Sequence, residues 1–197
     1  MALLDAVRAH PQHALLPFQR QMVYDYFGLV TVASSRRRRG WLTVMTVERV
    51  LPVWQQARPN DDQAERLLVL ARDVLQDKAD LQIAIIVVEN TWDWFMNDYG
   101  DRDRLKAIQQ SEAAFRVLGA TLQSLFIVVG QDGSEGCLDE QDYTDADVDA
   151  WSMDTAGWAV AAFAGPVWAQ DSDNTKRLEF WTWWLATAVP TAWEAAT

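Results

Sequence analysis

One cysteine, Cys137, and two histidines, His10 and His13, are all that 197 residues offer of the side chains most used in nucleophilic and metal chemistry. A lone cysteine excludes an internal disulfide and a Cys-rich metal site. The histidines flank Pro11 near the N-terminus, and no His-Glu-x-x-His, Gly-x-Ser-x-Gly or phosphate-cradling glycine loop occurs anywhere. Nucleophile-and-base catalysis therefore lacks its base, and the expectation is a protein that is not an enzyme, with no cofactor and no metal. There is no run of eighteen apolar residues, and no basic stretch followed by an apolar one at Met1. Neither a membrane span nor a signal peptide is expected, and the expected compartment is the cytoplasm.

Another absence concerns charge of one sign. Between Arg116 and Lys176 the chain runs 59 residues without Lys or Arg, while the same stretch carries eleven carboxylates. The other 138 residues hold 17 acidic and 17 basic side chains, so the whole formal charge of -11 is confined to this stretch. Eight of the carboxylates, Asp132, Glu135, Asp139, Glu140, Asp142, Asp145, Asp147 and Asp149, fall between Gly130 and Asp149 with no cation among them. Asp132-Gly-Ser-Glu-Gly and Asp145-Ala-Asp-Val-Asp begin like calcium loops. Neither completes the pattern: Tyr143 and Ala156 stand where the terminal Glu belongs.

A concentrated anionic field repels nucleic acid and anionic membrane and steers a cationic protein into encounter. The segment is expected to be exposed and poorly ordered in the unbound protein and to contact a basic partner. The opposite run, Arg36 to Arg39, has no aromatic or glycine-rich context of the kind nucleic-acid binding uses. It is expected to be balanced by carboxylates of the same chain or by solvent.

The apolar pattern is helical nearly throughout. Leu81, Ile85, Val88, Trp92, Phe95 and Tyr99 recur at four- and three-residue spacing, which predicts a helix near Asp80 to Gly100 despite the β-branched run Ile83 to Val88. Phe115, Leu118, Leu122, Leu125 and Val129 repeat the pattern in a segment from about Asp103 to Gly130, so the two should form an antiparallel hairpin turning around Gly100. Upstream, helices are predicted at Leu15 to Val30 and at Ser35 to Arg58, the latter bent at Pro52. Another should start at Asp62, which stands at capping-box spacing from Glu65, and reach about Lys78.

After the acidic loop, Val148, Trp151, Thr155, Trp158 and Ala162 predict a helix ending at Gly165-Pro166. A last helix should start after Asp171-Ser172-Asp173 and continue to about Val189. The expected architecture is all-α: a single helical domain over residues 1–197, a bundle of about seven helices with the acidic loop before the last two. Most of the 11 tryptophans should fill its core. Trp183 lies off the inward stripe of Trp181, Trp184, Leu185 and Ala188, and is a candidate exposed anchor for a partner.

Two motifs carry a family resemblance. Val50-Leu51-Pro52-x-Trp54 followed by Arg58-Pro59-x-Asp61-Asp62, and Arg177-x-x-Phe180-Trp181-x-Trp183-Trp184-Leu185-x-x-Ala188-Val189-Pro190, resemble the immunity-protein-five family of bacterial polymorphic toxin systems. The resemblance implies an all-helical binding protein that neutralises a toxin made by the same cell. Toxins that act on nucleic acid present cationic clefts, to which the acidic loop is complementary, so a basic, nuclease-type toxin is the expected partner.

Two other classes stay open. A carboxylate-metal enzyme would gather Glu89, Asp93, Asp98 and Asp101 around a divalent ion. A helical ligand-binding or scaffold module would show an apolar pocket lined by tryptophans.

Overall fold

The computed structural model describes residues 2–97, 111–131 and 154–195; 77 % of these are helical, and no strand occurs among them. The elements are α1 (Ala2–Ala9), α2 (Pro17–Phe27), α3 (Ala33–Ala57), α4 (Gln63–Leu75), α5 (Leu81–Asn97), α6 (Glu112–Val129) and α7 (Thr155–Ala164). The last helix, α8, starts as Asn174–Trp183, passes through a π turn at Trp184–Ala188, and ends as Val189–Glu194. The helix not anticipated is α1. Its eight residues bury only Val7 completely, so its apolar stripe is too short to stand out from sequence.

The bundle is organised around α6. By length and hydropathy α6 is apolar enough to cross a membrane, yet 78 % of it is buried against its neighbours, so its apolar character is that of a central helix wrapped on all sides. Small residues permit the close approach. A methyl group on Gly119 would come within 2.9 Å of the Trp158 ring on α7, and one on Gly40 of α3 within 2.7 Å of Leu75 on α4. Polar contacts fix the register of α3. Ser124 Oγ donates to Thr43 Oγ1 at 3.0 Å, and Trp184 Nε1 donates to Thr46 Oγ1 at 3.0 Å. Trp54, Trp158, Trp181 and Trp184 are buried, as large core fillers should be.

The run Ile83 to Val88 is helical, because Ala84 and Val88 are needed in the core at helical spacing while Ile83 and Ile86 point outward. Burial along one face outweighs β propensity. The expected packing of α5 on α6 is present and its sense is antiparallel: Phe95 stacks on Phe115 at 4.6 Å, Trp92 meets Phe126 edge-on at 5.4 Å, and Glu89 reaches Gln131. Tyr99 and the Gly100 turn lie outside the described residues, as do residues 103–110. The described part of α6 begins at Ser111, whose Oγ accepts from Ala114 N at 3.4 Å.

Three boundaries differ from expectation. At α4 the cap is made by Asp61 rather than Asp62: Asp61 Oδ1 accepts from Gln63 N at 3.1 Å, while its carbonyl accepts from Trp54 Nε1 at 2.6 Å. Asp62 turns outward to pair with Arg66 at 3.3 Å, and Glu65 pairs with Gln55 instead of closing a capping box. Helix α4 stops at Leu75, short of Lys78, and Asp77 takes a positive φ of 58°. Helix α8 runs beyond Val189 through Pro190, since the π turn gives Val189 N–H to Trp184 O and leaves Pro190 in the first turn of the next segment, where its missing donor costs little. Pro52 likewise sits inside α3, which continues to Ala57.

Candidate partner-binding site

Residues Asp132, Glu135, Asp139, Glu140, Asp142, Asp145, Asp147 and Asp149 lie outside the described residues, as do Cys137, Val148 and Trp151. What the structure describes is the frame from which the acidic segment departs and to which it returns.

The return point is Asp154. As N-cap of α7 it has extended backbone, and its Oδ1 accepts from Gly157 N at 3.3 Å. The same carboxylate is buried and doubly gripped by α2: Arg20 Nη2 lies 2.8 Å and Nε 2.9 Å from Oδ1, while Tyr24 Oη donates to Oδ2 at 2.7 Å. Arg20 is itself fully buried, donating through Nη1 to Leu15 O at 2.7 Å with its guanidinium 5.7 Å from the Trp181 ring. Local sequence puts it there. Pro17 opens α2 with its φ already set, and Gln19 Oε1 accepts from Leu16 N at 2.9 Å, so Arg20 and Tyr24, one turn apart, face inward together.

Asp154 belongs by sequence to the acidic stretch but not to a solvent-facing field. Its charge is matched within the fold by Arg20. Sequence reading missed the roles of Arg20 and Tyr24; the only local signal was the helix-capping position of Asp154.

The departure point is built from backbone. Gly130 ends α6 in the left-handed region, with φ 87° and ψ 17°, which L side chains adopt only under strain. Gln131 N then bonds back to Phe126 O at 2.9 Å, and Gln131 Nε2 donates to Glu89 Oε1 at 3.4 Å. Glu89 thus meets an amide of the departing chain. Asp98 and Asp101 lie outside the described residues, and no group of three His, Cys, Asp or Glu side chains poised to hold a metal occurs among the described ones.

Trp183 is half-buried rather than exposed. Arg49 lies 5.4 Å from its ring centre and Phe180 5.8 Å, with Arg49 also paired to Glu179. It closes the edge of the core between α3 and α8. The Asp171 to Asn174 turn is structural as well, since Asp173 Oδ1 caps α8 by accepting from Thr175 N at 2.9 Å and Lys176 N at 3.0 Å. Behind it, buried Arg177 ties the turn to the N-terminal loop through Gly165 O at 2.9 Å and Gln12 O at 3.0 Å. His10 sits over this corner, its Nδ1 accepting from Gln12 N and Ala14 N, and its pKa falls below the ordinary 6.5 through burial first, then the nearby charges of Arg177 and His13.

The arginine run is dispersed by helix geometry, each residue turning about 100° from the last. Arg37 pairs with Asp77 at 3.4 Å, Arg38 lies 3.8 Å from the centre of the Trp193 ring, and buried Arg39 donates to Tyr24 O at 3.1 Å. Of the concave surfaces, the apolar groove of about 440 Å³ between α1, α2 and α8 is lined by aliphatic side chains such as Leu3, Val23 and Leu185, with no tryptophan.

The described residues thus form an all-helical bundle that fixes the two points between which the acidic segment runs. A family model, Immunity protein Imm5, matches residues 2–191, and the chain belongs to that family. It is thereby an immunity protein, and its partner is a toxin. No curated protein matches the chain in sequence.

Proposed function

We propose that this immunity protein neutralises its cognate toxin by binding rather than catalysis, and that the toxin presents a basic, nuclease-type surface to the acidic segment. The supporting observation is the charge distribution: eight carboxylates and no cation between Gly130 and Asp149, within a 59-residue stretch outside which the chain is balanced in charge. Nucleases need cationic clefts to hold phosphates, and an anionic segment competes for the same cleft. Like charges crowded together are unfavourable until a cation approaches, so binding relieves a cost present in the unbound state. The setting that suits this role is the cytoplasm of a cell that makes the toxin, as in polymorphic toxin systems.

The test uses five substitutions, Asp139→Asn, Glu140→Gln, Asp142→Asn, Asp145→Asn and Asp147→Asn, in one protein. Association with the inactivated cognate toxin domain is followed at several salt concentrations. The expected outcome is an unchanged melting temperature, slower association and a flatter salt dependence, because charge outside a buried interface centre acts mainly on the on-rate. An unchanged rate and salt slope would show the acidic segment to be merely solvated.

A further inference from the structure

Pro11 has no amide hydrogen, and the turn around it leaves the amides of Gln12 and Ala14 to find acceptors where α1 has just ended. One ring serves both. His10, whose own N–H prolongs the hydrogen bonding of α1 by donating to Ala6 O at 3.0 Å, accepts at Nδ1 from Gln12 N at 3.2 Å and from Ala14 N at 3.3 Å. Both partners are backbone donors, so Nδ1 presents its lone pair and the neutral ring carries its proton on Nε2. Protonation would set an N–H against two N–H groups and end both bonds.

The turn so closed ties the N-terminal helix to the rest of the bundle. Gln12 O accepts from Arg177 Nη1 at 3.0 Å, and Gln12 Nε2 donates to Val167 O at 3.1 Å on the α7–α8 connection. Arg177 is buried and at the same time bonded to Gly165 O, Ser172 Oγ and Asn174 Oδ1, so the turn is fastened to a fixed point. His13 takes a positive φ of 51° within it, with Nδ1 3.2 Å from Val7 O. Val7 on α1 and Leu15 just ahead of α2 are fully buried on either side. A change in the turn therefore reaches both helices.

We propose that His10 is a protonation-sensitive latch: unprotonated, it holds the turn of residues 10–14 and α1 against the α7–α8 corner, and protonated, it lets them open locally while the bundle stays folded. The surroundings of the ring set the direction. Burial, then Arg177 of α8 and His13 of the same turn, oppose a positive charge there, so the His10 pKa lies below the ordinary 6.5. Carboxylates on the neighbouring elements have other settings: Asp173 caps α8 at Thr175 N and Lys176 N, Asp5 of α1 pairs with Arg8 at 3.6 Å, and Asp171 stands in solvent. A histidine whose pKa the fold lowers contributes stability above its ordinary value, and that contribution is lost as pH falls through 6.5. The latch is thus closed at neutral pH and loosens in mild acid.

The experiment follows amide hydrogen exchange of the full-length protein by NMR at about pH 7.5 and about pH 5, on either side of the ordinary histidine range, with each rate divided by its intrinsic value at that pH. Protection at Gln12 and Ala14 should fall about tenfold on acidification, the worth of one to two hydrogen bonds, while protection in α6 stays constant. The fall should track the titration of the His10 ring protons in the same samples. His10→Asn, whose side-chain oxygen can accept from the same amides without titrating, should abolish the pH step, and His10→Ala should show low protection at both pH values. His13→Asn, a residue type that tolerates positive φ, should keep the step. Protection at Gln12 and Ala14 that is independent of pH in the parent protein overturns the proposal, as does a step that survives in His10→Asn or vanishes in His13→Asn. Equal loss of protection in α1, α6 and α8 would also overturn it, because that is acid unfolding of the whole bundle rather than release of a latch.

Discussion

The two ends of the acidic segment are held by different physics. At the departure, a left-handed glycine and a backbone bond from Gln131 to Phe126 finish α6, and the side-chain contact from Gln131 to Glu89 is exposed. At the return, Asp154 is buried, capped onto α7, and bound to two buried side chains of α2. A backbone device sets direction; a buried ion pair sets position. The contrast indicates that Asp154 is tied to α2 more firmly than Gln131 is tied to α5.

Substitution at each end measures the difference. The largest effect is expected for Asp154→Ala, which leaves the buried Arg20 guanidinium without this counter-charge and α7 without its cap. Removing one partner of a buried pair costs about 3 to 5 kcal/mol, so urea unfolding should show a loss of that size. A loss below about 1 kcal/mol would mean that α2 does not hold the segment. Next comes Gly130→Ala, where a Cβ must accept φ 87° and also lies 3.1 Å from Arg36 Nη1; about 1 kcal/mol of destabilisation is expected by the same measurement. The smallest effect belongs to Gln131→Ala, whose exposed amide contact should contribute no more than about 0.5 kcal/mol. Equal losses for Gln131→Ala and Asp154→Ala would erase the distinction between the two ends.

Much of the fold was legible because burial imposes a period. The stripe Leu81, Ile85, Val88, Trp92, Phe95 reads as a helix from its spacing, and the structure adds only which partner each residue meets. The start of the last helix was legible after Asp171-Ser172-Asp173, and the structure adds that Asp173 is its cap. Capping was misread at Asp61 and Asp62, adjacent residues of the same type, because the hydrogen bond from Trp54 to the Asp61 carbonyl fixes which of the two turns toward the helix. The halt at Pro190 was misread because a π turn shifts the hydrogen-bond register and removes the clash that proline would otherwise make.

The sequence by itself determined the helical class, the family motifs, and a net charge gathered into one stretch, since periodicity, motif order and charge are all properties of residues along the chain. Only the tertiary structure decided that Asp154 turns inward: it placed this carboxylate against Arg20, 134 residues away. It also turned Trp183 into the edge of the core and brought Tyr26, Trp193 and Arg38 together from three helices. Contacts between distant residues are set by how whole helices pack, and that packing follows from the summed burial of every apolar face rather than from any local spacing.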